Sequence, residues 1–206
     1  MATKKMRGNI VLSGFMGCGK TTIGRQLASA LRMQFVDMDL YIEKKTGKTV
    51  KEIFAENGEA YFRALETETV RELSTSENYV IATGGGTLMQ PVNVEEFHKG
   101  GGTIYFLDVP LAALQERLKN DKRRPLLQTP NRNEVIEKLL TERKPKYLAS
   151  ADVVVDAGAP TVVVVRRICA LRGEEPELKT VRMGRKAGRR YPRRKRGNAG
   201  ELSENT

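Results

Sequence analysis

A glycine-rich segment near the start of the chain carries residues that could bind a phosphate group. Residues 14–21 read Gly-Phe-Met-Gly-Cys-Gly-Lys-Thr and match the pattern G-x-x-x-x-G-K-[ST] in full. Glycines let backbone N–H groups turn toward an anion, the lysine reaches the β- and γ-phosphates of a nucleotide, and the following hydroxyl ligates Mg²⁺. The motif stands between a strand-like run and a helical pattern, as a P-loop requires. We therefore predict ATP and Mg²⁺ as cofactors, with nucleotide contacts from Gly17, Cys18, Gly19, Lys20, Thr21 and Thr22.

Two carboxylates, Asp37 and Asp39, follow a predicted strand at residues 34–36. Side chains two positions apart on a strand point the same way, and the carboxyl end of a parallel strand is where α/β proteins bind ligands. Taken alone, these residues would be a pair of solvated loop carboxylates. Beside a P-loop, they are better candidates for a cation site and for contacts to a second substrate.

A second candidate for a metal carboxylate lies further along the chain. An apolar run at residues 104–107 ends at Asp108, an arrangement typical of a Walker B strand. Asp108 also stands shortly before Pro110 and a predicted helix, where it could act as the N-cap. We favour the N-cap.

Strand-like and helix-like patterns alternate along the chain, which favours βαβ units and a parallel sheet. We predict strands at residues 9–13, 34–36, 79–82, 103–107 and 153–155. Helices are expected at residues 20–31, 59–73, 111–118, 132–148 and 161–171, the fourth with a possible break near Pro145. Thr49 and Glu52 form a capping-box pattern that opens one further short helix.

Six blocks of residues, in order, resemble the shikimate kinase family. They are the P-loop, Asp37-Met-Asp39, the segment from Phe54 through Gly58, Glu59, Phe62 and Arg63 to Glu66, Gly84-Gly85-Gly86, Arg124-Pro-Leu-Leu127, and Arg143-x-x-x-Tyr147. The resemblance covers about residues 7–172. It implies an α/β, three-layer P-loop fold with a five-stranded parallel sheet flanked by helices, plus a lid loop. It also implies ATP-dependent phosphorylation of the 3-hydroxyl of shikimate, in the synthesis of chorismate and aromatic amino acids.

The same resemblance implies roles for individual residues. Asp37 would join Thr21 in holding Mg²⁺, through water, and Asp39 would bind the acceptor hydroxyls and accept the proton. Arg63 and Arg143 would bind the substrate carboxylate, since a guanidinium makes two parallel hydrogen bonds that lysine cannot. From the residues alone, an Arg63–Glu66 pair on a helix face would be preferred. Backbone N–H groups of Gly84, Gly85 and Gly86 would contact the substrate, unless these glycines form only a flexible turn.

The basic, proline-containing segment at about residues 119–132 is the predicted lid. The resemblance places Arg124 over the ATP phosphates as a third catalytic residue beside Lys20 and Asp39. It assigns Arg117 to stacking on adenine. Lys122 and Arg123 are interpreted as solvated charges.

Cys18 stands inside the P-loop, where the family more often has Ser or Ala. We favour a small, tolerated residue. The alternative is a thiolate stabilised by Lys20 and the helix N-terminus. That alternative predicts inactivation by iodoacetamide, slowed by MgATP and absent in Cys18→Ser, with Cys169 unreactive in the core.

Charge and cysteine content limit the other possibilities. The chain has 206 residues and a formal net charge of +11. Residues 173–206 hold ten Lys and Arg against five Glu, a net of +5, which leaves +6 on residues 1–172 and suits a binder of phosphates. No apolar run is long enough for a membrane span, and no secretory signal is visible. With two distant cysteines, we expect a cytoplasmic protein without a disulfide. We also expect a monomer.

We divide the chain into a kinase domain, residues 1–172, and a C-terminal extension, residues 173–206. Nine basic residues and no acid occur between positions 182 and 196. A solvated extension is favoured, although nucleic acid or an acidic protein could bind such a segment. Two other functions stay open: a gluconate-type sugar-acid kinase, and a nucleic-acid-binding protein whose P-loop is regulatory.

Overall fold

The computed structural model describes residues 8–121 and 124–176. Within them, five strands alternate with seven α-helices. The strands are β1 (Ile10–Ser13), β2 (Gln34–Asp37), β3 (Tyr79–Ala82), β4 (Thr103–Asp108) and β5 (Val153–Asp156). The helices are α1 (Lys20–Leu31), α2 (Met38–Thr46), α3 (Val50–Ser74), α4 (Pro91–Lys99), α5 (Leu111–Leu118), α6 (Arg132–Ser150) and α7 (Thr161–Leu171). The basic extension lies outside the described residues from position 177 onward.

The five strands form one parallel sheet in the order β2-β3-β1-β4-β5. In the centre, Ile10 of β1 pairs with Val80 of β3 on one side and Thr103 of β4 on the other. Every residue of β1 is buried, as expected for a parallel strand covered by helices on both faces. The chain order reverses direction at β1, so the loop after β1 opens at the switch point where α/β folds bind ligands.

Alternate residues of β1 contribute to the two apolar layers that hold the helices. Ile10 and Leu12 pack in a cluster with α1 and α7, whereas Val11 packs in a second cluster with α3 and α4. This period-two alternation produces a three-layer sandwich. The expected α/β fold is therefore confirmed. Among the described residues, no helix is long and apolar enough to cross a membrane.

Four helices differ from the prediction, and one of them, α4, was not predicted at all. The sequence pattern missed α2, which begins directly after Asp37 and ends at Gly47 in the left-handed conformation. Its apolar pattern is weak, and contacts to α3 stabilise it: Tyr41 donates a hydrogen bond to Glu72 at 2.7 Å. The capping box of Thr49 and Glu52 is confirmed. The helix that it opens continues as α3 across a kink at Gly58, where φ is 80°.

Helix α6 passes through Pro145 without the predicted break. Contacts on both sides of the proline explain the continuity. Lys144 donates to both carboxylate oxygens of Asp108 at 2.8 and 2.9 Å, and Tyr147 stacks on Phe106 with ring centroids 5.4 Å apart. These tertiary contacts offset the hydrogen bond that a proline removes from a helix.

Candidate active site

A cavity of about 720 Å³ opens at the carboxyl ends of β1, β2 and β3. All but one of the predicted site residues line it. They are Gly17, Gly19, Lys20, Thr21, Thr22, Asp37, Asp39, Arg63, Gly84, Gly85, Gly86, Arg117, Arg124 and Arg143. Parallel strands end at one edge of a sheet, so loops that are far apart in sequence meet in this space.

The loop between β1 and α1 curls around the side chain of Lys20. Gly14, Gly17 and Gly19 have φ of 143°, 79° and 102°, which only glycine adopts without strain. The Lys20 ammonium donates to the carbonyl of Gly14 at 2.6 Å and to that of Phe15 at 3.3 Å. Helix α1 begins at Lys20 with no side-chain cap, so its first amides face the cavity as an anion site.

Cys18 is the predicted site residue that does not line the cavity. Its side chain is 1% exposed and packs in the core beneath the loop, and its backbone N–H donates to Phe15 at 3.2 Å. The Lys20 ammonium lies 3.8 Å from the sulfur, so the thiol is beside that lysine but closed off from solvent. This burial argues against an accessible thiol, and the reactivity of Cys18 stays a prediction. A small residue fits here because the sulfur packs against Gly14, where a Cβ would lie 2.8 Å from it. Cys169 is buried as well.

Thr21 and Asp37 lie side by side at the nucleotide end of the cavity. The Thr21 hydroxyl donates to Asp37 Oδ2 at 2.8 Å. Asp37 is the last residue of β2 and the N-cap of α2, so its position depends on both elements. No group of three or more His, Cys, Asp or Glu among the described residues could hold a metal. Two oxygen donors nevertheless fit Mg²⁺, which retains waters and substrate phosphates as its other ligands.

The sequence pattern suggested that Asp39 continues the strand. In the structure it lies on the first turn of α2 instead. Burial raises the pKa of its carboxyl to about 6, and the neighbouring carboxylates of Asp37 and Glu66 add to the rise against the opposing charge of Lys20. Gly84 lies against this group, since a Cβ there would be 3.0 Å from Asp39 Oδ1. The pKa of Asp39 is thus close to the range in which a carboxylate serves as a proton acceptor.

Arg63 forms the intrahelical pair that the residues alone favoured, and it also faces the cavity. Its Nη1 donates to Glu66 at 2.6 Å, and its Nη2 donates to Glu59 at 2.8 Å. The same guanidinium lines the cavity beside Gly86, where a Cβ would approach it to 2.5 Å. The intrahelical pair therefore holds the arginine at the cavity wall.

Glu66, predicted only as a partner of Arg63 on the helix face, is almost fully buried beside the cavity. Glu66 is 1% exposed and accepts hydrogen bonds from both Arg63 and the Thr87 hydroxyl, the latter at 2.5 Å. It thereby ties α3 to the turn that follows the three glycines. The spacing of three residues from Arg63 was the only sequence signal for it.

The segment predicted as the lid borders the cavity near the P-loop. Arg124 pairs with the carboxylate of Asp121, which also lines the cavity. Arg132 anchors the far end, donating to the carbonyls of Leu127 at 2.9 Å and Leu118 at 3.1 Å. Arg117 Nη1 lies over the P-loop, 3.4 Å from the carbonyl of Cys18. Lys122 and Arg123 are outside the described residues.

Asp108 is not the N-cap that we expected. Helix α5 begins at Leu111 with Pro110 at the N-cap, so Asp108 is two residues too early and remains in β4. Its carboxylate pairs with Lys144 of α6 instead. That ion pair also occupies the oxygens that a Walker B role would need.

The fold and this site define a P-loop phosphotransferase with room for a nucleotide and a small acceptor in one cavity. The profile of shikimate kinase matches residues 16–171. The chain belongs to the shikimate kinase family.

Individual relatives agree with that membership. A shikimate kinase of Aromatoleum aromaticum strain EbN1 is 46% identical over 149 residues, which are 72% of this chain and 85% of the relative. A shikimate kinase of Microcystis aeruginosa strain NIES-843 is 43% identical over 170 residues, 81% of this chain and 88% of the relative. The structure of Acinetobacter baumannii shikimate kinase in complex with shikimate is 37% identical with a TM-score of 0.74, over 81% of this chain and 94% of that one.

Proposed function

We propose that this chain transfers the γ-phosphoryl group of ATP to the 3-hydroxyl of shikimate, giving shikimate 3-phosphate and ADP. The observation that carries the proposal is one cavity with two chemically different ends. A P-loop forms one end, and two arginines with a glycine turn form the other. The reaction belongs to chorismate and aromatic amino-acid synthesis, and we expect a monomeric cytoplasmic enzyme.

The chain's own groups bind the nucleotide end. P-loop amides and the N-terminus of α1 bind the phosphates, Lys20 contacts the transferred group, and Arg117 packs on adenine. Thr21 and Asp37, the latter through water, would hold Mg²⁺. The bound ion would supply positive charge that offsets the charge of the phosphates.

The acceptor binds at the other end of the cavity. Arg63 and Arg143 hold the shikimate carboxylate, and the N–H groups of the glycine turn contact the ring hydroxyls. Asp39 orients the 3-hydroxyl and accepts its proton as the oxygen attacks the γ-phosphorus. The bond from that phosphorus to the β,γ-bridging oxygen breaks in line, and ADP leaves with the electron pair. Arg124 offsets the charge that develops on the transferred group once the lid closes.

A coupled ADP-release assay with shikimate, gluconate and nucleoside monophosphates in parallel tests the proposed substrate. We expect turnover with shikimate and only background ADP release with the other acceptors. Turnover with gluconate in place of shikimate would show that the acceptor end is wrongly assigned.

Arg63→Lys should raise the KM for shikimate by roughly 10-fold or more while leaving the KM for ATP nearly unchanged. Lysine keeps the charge but cannot make two parallel hydrogen bonds to a carboxylate, and a charge-assisted bond contributes about 1.5–3 kcal/mol. Initial rates with each substrate varied in turn measure both constants. Arg71→Lys, an exposed change on the same helix, is the matched control. A rise confined to the KM for ATP would place Arg63 in the nucleotide site.

Removal of residues 177–206 should leave kcat and both KM values within about twofold, because we assign the chemistry to residues 1–172 with a lid at about 119–132. The cut keeps the end of α7 intact, since Gly173 and Glu174 donate backbone hydrogen bonds to its last turn at 3.0 and 2.9 Å. Steady-state kinetics of the full and shortened chains make the comparison. A large loss of turnover in a folded short chain would assign the extension to the enzyme's function.

A further inference from the structure

Tyr147 of α6 makes a contact to the glycine turn that the proposed mechanism does not use. Its hydroxyl donates to the carbonyl of Gly85 at 2.7 Å, although the two residues are 62 positions apart. The ring is 1% exposed and stacks on Phe106 of β4. The core therefore holds the ring of Tyr147 in place, and its hydroxyl lies at the cavity wall beside Gly85.

The bond from Tyr147 determines the direction of one peptide group. In a trans peptide the C=O and the following N–H point in opposite directions. Because the Gly85 carbonyl points to Tyr147, the Gly86 N–H points away from it. Within the described part of the chain, no backbone acceptor pairs with this N–H. Both residues line the cavity, so the amide is available to a ligand there.

The glycine turn has little else to hold that peptide. Neither Gly85 nor Gly86 has a side chain that restricts rotation, and glycine loses more conformational freedom on ordering than any other residue. Other bonds hold the ends of the turn. Thr87 is fixed through Glu66, its N–H donates to the Gly84 carbonyl at 3.3 Å, and the Met89 N–H donates to the Gly86 carbonyl at 3.0 Å. None of these bonds involves the Gly85 carbonyl. The hydroxyl of Tyr147 is thus the group that selects one orientation of the peptide.

Arg143, one helical turn earlier on α6, lies beside the same hydroxyl. A Cβ on Gly85 would be 3.8 Å from Arg143 Nη1 and 4.0 Å from the Tyr147 oxygen. A guanidinium has only donors, so it does not compete for the phenol proton, which goes to Gly85. Burial raises the pKa of Tyr147 to about 12, which keeps that proton in place at neutral pH.

We infer that Tyr147 is a positioning residue that presets the Gly86 amide, beside the Arg143 guanidinium, for the acceptor molecule. This inference rests on the proposed function for the identity of that acceptor. The binding of shikimate would otherwise have to order a rotating glycine peptide, and that ordering lowers affinity.

Tyr147→Phe isolates the hydroxyl, because phenylalanine keeps the ring on Phe106. We expect the KM for shikimate to rise about 10-fold, with the KM for ATP within twofold of its original value. Tyr105→Phe is the matched control, since it removes one hydroxyl from another buried tyrosine in the neighbouring strand. A merely structural role would change both KM values or neither.

A second measurement reads the peptide directly and needs no turnover. With ¹⁵N-glycine labelling, the Gly86 amide should give one sharp signal in the parent chain and a broadened or doubled signal in Tyr147→Phe. An unchanged Gly86 signal together with an unchanged KM for shikimate overturns the inference. If the parent chain does not phosphorylate shikimate, the proposed function fails, and the amide spectra alone then decide whether Tyr147 sets the turn.

Discussion

Replacement of Lys20 by alanine should lower kcat by roughly 10²- to 10⁴-fold, equivalent to about 3–5 kcal/mol in the activation free energy. Lys20 supplies the cation at the centre of the P-loop, and its ammonium lies 2.6 Å from the carbonyl of Gly14. From this anchored position it can reach the phosphates without a large rearrangement. Its charge is most valuable when negative charge moves onto the leaving oxygen, so the loss falls on kcat more than on binding.

The measurement is steady-state ADP release at saturating ATP and shikimate, with a thermal melt to show that the variant is folded. Lys99→Ala is the matched control, because it removes the same side chain from α4, where Lys99 is exposed and pairs with Glu96. A folded Lys20→Ala protein with near-normal kcat would contradict the assignment of the P-loop.

Asp39→Asn should reduce kcat by about 10²- to 10⁴-fold, the usual range for loss of a general base. The amide has nearly the shape of the carboxylate and can still hydrogen-bond a hydroxyl, so the KM for shikimate should change much less. It cannot accept the proton that the 3-hydroxyl loses. A fall in affinity with normal kcat would show that Asp39 only binds the acceptor.

The same substitution should raise the melting temperature at pH 7. The pKa of Asp39 is about 6 in the folded chain against an ordinary value of 3.8, because the cavity removes part of the water around the ionised group and because Asp37 and Glu66 lie beside it. A carboxyl with a raised pKa lowers the stability of the folded state as pH rises from about 4 to 6, and the full cost remains above that range. A neutral amide removes this cost. If Asp39→Asn loses turnover but melts at a higher temperature, the loss is due to the chemistry and not to misfolding.

The pH profile gives an independent measurement on the unmodified chain. Only the ionised Asp39 can accept a proton, so kcat/KM for shikimate should fall about tenfold per pH unit below pH 6. The residual rate of Asp39→Asn should lack this acid limb. If kcat/KM of the parent chain instead began to fall only near pH 4, Asp39 would not be the group that accepts the proton.

Local patterns in the sequence determined the parts of the fold that depend on near neighbours. The strand β3 and the helices α5 and α7 have the predicted bounds, because the periodicity of buried apolar residues within each segment is sufficient to define it. The P-loop is equally local, since its glycines, lysine and threonine act within eight consecutive positions. The weakly patterned α2 needed its partner α3, and the prediction missed it.

The sequence by itself therefore determined the sheet, the phosphate loop and the residues that line one cavity. The tertiary structure alone decided how those residues are held. Glu66 meets Thr87 across 21 positions, Lys144 meets Asp108 across 36, and Tyr147 meets Gly85 across 62. Such pairs leave no periodic signal, because the packing of helices on the sheet brings them together. The same packing buried the Cys18 side chain beneath the loop. It also raised the pKa of Asp39, because it placed that carboxyl in the cavity beside other carboxylates, where part of its surrounding water is lost.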